Sequence, residues 1–146
     1  MPVLLRQYLL KAPPEAVWTQ LAAPAVWPGF VRHLQWACFS SPATADSRAI
    51  VNVGVSYRNL LNWSGPLECT FDPEAGEVCV WQTTSPVVEA SGRLQVRPAA
   101  REGSTLTQIQ AEYRAMSPVV GLILAAKLDG YLDKTAQALE RAAIRG

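Results

Sequence analysis

The spacing of apolar and polar positions changes twice along this chain. Residues 3–10 are mostly apolar without helical spacing and predict an opening strand. Ala12 to Phe30 then reads APPEAVWTQLAAPAVWPGF, with four prolines, two tryptophans and one charge, Glu15. Pro13 and Pro14 suit the start and first turn of a helix, where a missing N–H costs little. Glu15 sits in that first turn, at the positive end of the helix dipole. Val17, Trp18 and Leu21 make its apolar side. Pro24 ends this helix and starts a second short one that buries Val26, Trp27 and Phe30, and Pro28-Gly29 stops it.

From there to residue 116 the period is two, the spacing of strands. Strands are predicted at 34–39, 49–57, 66–71, 78–83, 87–96 and 105–116. The segment 40–47, SSPATADS, reads as a loop. DPEAGE, 72–77, reads as a turn in which Pro73 presets φ and Gly76 takes a positive φ. REGS, 101–104, is a second turn. Connections this short predict antiparallel neighbours. Glu68, Glu89, Glu112, Arg93, Arg97 and Arg114 fall opposite the apolar positions, as a solvated sheet face would. Asn52 and Arg58 count outward in the same way.

The last change is to helical spacing. Ser117 is a plausible N-cap and Pro118 a first-turn residue. Val120, Leu124, Leu128, Tyr131, Thr135 and Leu139 recur every three or four residues. A helix to residue 143 would run roughly 39 Å.

This order of elements resembles the START-like superfamily, also called SRPBCC or Bet v 1-like. It looks closest to its small polyketide cyclase/dehydrase and lipid-transport type. APPEAVWTQLAAPAVWPGF, VNVGVSY, FDPEAGEVCVW and GSTLTQIQAEYRA carry the resemblance, which covers nearly the whole chain. It implies an α+β helix-grip fold. A curved antiparallel sheet of about seven strands wraps a long C-terminal helix, with two short helices between strands 1 and 2. Residues 1–146 would form one such domain. Trp18, Trp27 and Phe30 would close one end of the sheet.

On this fold a ligand would sit between sheet and helix. The apolar strand face nominates Trp36, Val53, Val55, Tyr57, Ile109, Ala111 and Tyr113. Leu124, Leu128 and Tyr131 would roof the space, and the small Ala90 and Gly92 would leave room beneath. The alternation leaves Trp81 open, and the resemblance puts it inward. The same residues could also fill a solid core, and it is the resemblance that favours a pocket.

Charge and composition then narrow the chemistry. The 146-residue chain is 49% hydrophobic and 17% charged, with formal net charge +1. No basic stripe marks a nucleic-acid site. Three cysteines, Cys38, Cys69 and Cys79, lack CxxC spacing and read as reduced, buried thiols. With a single histidine, His33, read as a surface or capping residue, no metal set and no cofactor are expected. No signal peptide is read at the N-terminus, and the longest apolar run, Val119 to Ala126, is too short to span a membrane. A cytoplasmic protein is expected, touching membranes only transiently. No nucleophile–base set can be assembled.

The reading is therefore a binder of a small hydrophobic molecule, such as a lipid, an isoprenoid or a polyketide-like aromatic. The alternative is an aromatase/cyclase or dehydratase of the polyketide type using the same cavity. An inward-facing Arg58, Glu68 or Arg114 would favour the enzyme.

Overall fold

The computed structural model describes residues 3–41, 48–57, 61–84, 88–115 and 118–145. Strand β1 is Val3–Leu10, and helix α1, Pro14–Leu21, follows it. Pro14 occupies its first turn and Glu15 its positive end, as the sequence predicts. A short 3-10 helix, Pro24–Gly29, comes next. Six strands follow: β2 Leu34–Ser41, β3 Arg48–Tyr57, β4 Leu61–Asp72, β5 Glu77–Thr84, β6 Val88–Pro98 and β7 Thr105–Ala115. Helix α2, Pro118–Arg145, closes the order. The expected N-cap Ser117, the loop 42–47 and Arg58 lie outside the described residues.

All seven strands form one antiparallel sheet in the order β1-β7-β6-β5-β4-β3-β2. The turn between β4 and β5 is built as its residues predict. Asp72 accepts the Ala75 N–H at 3.1 Å, and Gly76 takes φ 64°. An added Cβ at Gly76 would lie 2.4 Å from the Val96 carbonyl oxygen, so both conformation and space require glycine.

Strand β4 begins at Leu61, earlier than its expected start at Pro66. The apolar alternation continues back from Leu67 through Gly65 to Trp63. Proline argues against a central strand, yet among the described residues β5 pairs with β4 only at Cys69–Asp72. At Pro66 β4 is therefore locally an edge strand, where a missing N–H breaks no ladder bond on that side.

The core sits at one end of the concave sheet face. Val17 and Leu21 of α1, Trp27 of the 3-10 helix with Phe30 just after it, and Ala136, Leu139 and Ala143 of α2 are buried there. They cover Leu10, Ala49, Val51, Val53, Cys69, Phe71, Val78 and Val96 from the strands. Trp27 stacks on Phe71 at 6.3 Å and donates its indole N–H to the Leu21 carbonyl at 3.0 Å. The proline-rich segment thus closes this end with an aromatic plug whose polar atom is satisfied.

Candidate ligand-binding face

Burial changes along each strand that crosses the concave face. On β7, Thr105 and Thr107 are buried, while Ile109, Ala111 and Tyr113 on the same face are only partly covered. On β3, Ala49, Val51 and Val53 are buried and Val55 is half-covered. On β1, Leu10 is buried and Tyr8, Arg6 and Leu4 are not fully so. Helix α2 repeats the gradient, with Leu128 and Tyr131 part-exposed and Leu139 at 1% exposure. One half of the concave face is filled core, and the other half presents incompletely covered apolar side chains.

The middle of that second half lacks bulk. Gly92 pairs with Ala111, and Ala90 with Tyr113. A Cβ added at Gly92 would meet only the Gln110 carbonyl oxygen, at 3.2 Å. Small residues thus sit side by side in neighbouring strands, where little side-chain bulk stands above the sheet. Trp63, Leu67 and Val80 share this face and pack on the edge of the core.

Polar groups border the face on the side where α2 runs along β1. Arg6 meets Asp129 at 2.6 Å, and the Tyr8 hydroxyl donates to Asp133 at 2.8 Å. The Lys11 backbone N–H donates to Glu140 at 2.8 Å. Burial, then the hydrogen bond to Asp133, pushes the Tyr8 hydroxyl up to about 12. On the opposite flank the Tyr131 ring meets His33 edge-on at 5.4 Å, with the Arg32 guanidinium 5.6 Å from its centroid. His33 is half-buried there, at φ 68°, instead of lying on the surface.

Of the nominated residues, Val53 is buried, and Val55, Ile109, Tyr113, Leu128 and Tyr131 are partly covered, with Tyr131 also lining a groove beside Arg32 and Lys134. The side chains of Tyr57 and Leu124 lie outside the described residues. Two expectations are corrected. Trp36 is 45% exposed on the convex face, opposite Gly54, and its indole covers that glycine. The pairing shifts between Leu34 and Trp36, so an extra residue reverses the alternation and turns Ala37 inward. Trp81 is also convex, 49% exposed, and donates its indole N–H to the Thr70 hydroxyl at 2.6 Å. Val78 and Val80 hold the inward phase of β5, and a second shift follows between Val80 and Thr83. Trp81 instead borders a convex groove of about 180 Å³ with Arg93, Gln110 and Glu112.

Cys38 faces outward and is exposed, against the expectation of a buried thiol, because it follows Trp36 in phase. Cys69 is fully buried, and desolvation pushes its thiol up to about 12. Sequence reading missed Trp63 and Arg6. Trp63 was legible as two steps of alternation before Leu67, and Arg6 as the inward partner of Tyr8 and Leu10 in β1. Among the described residues, no group of three or more His, Cys, Asp or Glu could hold a metal ion. None of their helices is long and apolar enough to cross a membrane.

Comparison with known proteins settles the family. Residues 6–143 match the family described as Polyketide cyclase / dehydrase and lipid transport. The chain belongs to that family. Its fold is similar to the ZhuI aromatase/cyclase from Streptomyces sp. R1128, with TM-score 0.81 and 14% identity over 99% of this chain and 94% of that one. A START superfamily protein from Mycobacterium smegmatis gives 0.76 and 15% over 98% and 97%. The di-domain aromatase/cyclase BexL, from the BE-7585A biosynthetic pathway, gives 0.73 and 20% over 97% of this chain and 46% of that one. At these identities the solved structures share the helix-grip fold, a START-like architecture. No curated protein matches the sequence.

Proposed function

We propose that this member of the family binds a small hydrophobic molecule between the concave sheet face and the N-terminal half of α2. One observation carries the reading. Ile109, Ala111 and Tyr113 continue the buried face of Thr105 and Thr107, yet stay partly uncovered, as does Leu128 on α2. Pockets of this kind are mostly apolar with a few polar groups that set orientation. Val55 and Trp63 wall the space, Gly92 and Ala111 give it depth, and the Tyr113 hydroxyl supplies a polar tip. A lipid, an isoprenoid or a polyketide-like aromatic fits that chemistry. Burial of roughly 200 Å² of apolar ligand surface would contribute about 5 kcal/mol before ordering costs. The free thiols suit a reducing cytoplasm.

The test is native mass spectrometry of freshly purified protein against its denatured mass. The expected result is a reproducible extra mass lost on denaturation. The bare polypeptide mass, together with no thermal shift across a panel of lipids and aromatics, would defeat the reading.

A second reading is an aromatase/cyclase or dehydratase in the same space. It draws support from Arg6, an inward cation at the border of the face beside Asp129 and Tyr8. Glu68 and Arg114 face outward and lend it none. If Arg6 orients a reacting chain, Arg6→Gln abolishes turnover of a polyketide-like substrate while leaving its binding in place.

A further inference from the structure

Helix α2 is segregated by charge. Its carboxylates Asp129, Asp133 and Glu140 all turn toward β1, where each holds a partner. Besides Arg145 in its last turn, its cations Lys127, Lys134 and Arg141 follow one another at seven-residue spacing on the other side. Among the described residues these three make no ion pair. Two grooves run along that side, of about 370 and 320 Å³. Arg32 and Lys134 line both, Lys127 joins the first, Arg141 the second, and no carboxylate lines either.

The same stripe continues toward the helix N-terminus with a different chemistry. Val119, Ile123, Lys127, Gly130, Lys134, Gln137 and Arg141 are separated by steps of three or four residues, which keeps them on one face. Val119 is 67% exposed and the adjacent Leu122 73%, far more than a core-facing residue would be. The row from Val119 to Arg141 thus runs from apolar to basic with no acid in it, and Leu122 flanks it on the side of Asp129 and Asp133. Helix α2 runs parallel to β1, with Asp129 at Arg6, Asp133 at Tyr8 and Glu140 at Lys11, so its apolar first turns lie toward the half-covered end of the sheet face.

We propose that this outer face of α2 docks on an anionic phospholipid surface. Lys127, Lys134, Arg141 and Arg32 lie at the level of the phosphates, and Val119, Leu122 and Ile123 enter the headgroup–acyl boundary. Apolar area plus basic charge on one helix face is the combination that holds a helix in the plane of such an interface. Each Lys or Arg near an anionic surface contributes about 1 kcal/mol, about a fivefold change in partition. The proposal stands on the exterior of α2 and does not depend on an occupied pocket.

The experiment is co-sedimentation of the full chain with phosphatidylglycerol-rich vesicles and with pure phosphatidylcholine vesicles, at low and high salt. Binding is expected to the anionic vesicles only and to weaken as salt rises. The triple variant K127Q/K134Q/R141Q should lower partition on the order of 100-fold. V119S/L122S/I123S should lower it at high salt, where screening leaves the apolar term. These side chains face outward, so circular dichroism of both variants should match the parent. Absence of the parent from anionic vesicles at low salt would overturn the proposal, as would undiminished binding by the triple cation variant. Displacement by inorganic phosphate at constant ionic strength would mark a free-anion site and also overturn it. Equal affinity for a nucleic-acid duplex would do the same.

Discussion

Tyr8 donates its hydroxyl hydrogen to Asp133 across the seam between β1 and α2, 2.8 Å from oxygen to oxygen. This bond lies between the Arg6–Asp129 pair and the Lys11–Glu140 bond, so one strand residue after another registers the helix against the sheet edge. Tyr8→Phe removes the central bond and leaves Asp133 hydrated, so a loss of about 0.5 to 1 kcal/mol is expected. Urea unfolding at neutral pH measures it.

The same pair sets a pH dependence. Tyr8 has its hydroxyl raised from 10.0 to about 12 in the folded protein. The folded state therefore keeps the proton longer than the unfolded chain does. Its contribution is whole below pH 10 and is lost as pH rises through 12. In an alkaline titration read by phenolate absorbance, one tyrosine should ionise late, and Tyr8→Phe should abolish that late phase. Persistence of the late phase in the variant would assign it to another residue.

Thr107 presents the opposite case. Its hydroxyl is buried, with the residue 1% exposed, and has no hydrogen-bond partner among the described residues. Its neighbour on the same face, Thr105, donates to the Ala12 carbonyl at 2.6 Å. Thr107→Val replaces an unsatisfied polar atom by a methyl group of similar shape and should stabilise by about 1 kcal/mol. Thr105→Val breaks a made bond and should destabilise by a similar amount. Paired thermal melts check both signs.

Cysteine reactivity should follow the faces of the sheet. Cys38 is exposed on the convex side, and Cys69 is fully buried with a thiol raised to about 12. A disulfide reagent added to native protein should label Cys38 promptly and reach Cys69 only on unfolding. Prompt labelling of Cys69 in the native protein would contradict the assigned facing of β4.

Two glycines should respond in opposite directions to alanine. At Gly76, φ is 64° and a Cβ would press on the Val96 carbonyl, so Gly76→Ala should cost more than about 1 kcal/mol. Gly130 lies exposed within α2 and a Cβ there meets nothing, so Gly130→Ala should stabilise by about 0.5 to 1 kcal/mol.

The order of elements was legible because each depends on local signals. Prolines at a helix start, period-two alternation, a Pro73–Gly76 turn and a late three- and four-residue stripe all act within a few residues. Facing was legible only where the alternation is unbroken. On β7 it runs from Thr105 to Tyr113 without a shift, and Ile109 and Tyr113 fall where the pattern puts them. On β2 a shift after Leu34 reverses the phase, so Trp36 and Cys38 point away from the ligand face. A bulge is fixed by pairing across strands, and a single chain's alternation does not encode where it falls. Trp63 was lost for a related reason. Pro66 is a breaker in isolation, and only the limited extent of the β5 pairing makes it tolerable.

The uneven burial of α2 has a kinetic consequence. Ala136, Leu139 and Ala143 tie the C-terminal half of the helix into the core, while Val119 and Leu122 at the other end are largely in solvent. Amide protons along one continuous helix should then exchange on widely separated timescales, slow near Leu139 and fast near Leu122. The free energy needed to lift the front of the helix is a fraction of that needed to unfold the protein. Under the proposed function, a guest molecule would come and go through that partial opening without global unfolding, so residence time and fold stability would change independently under mutation.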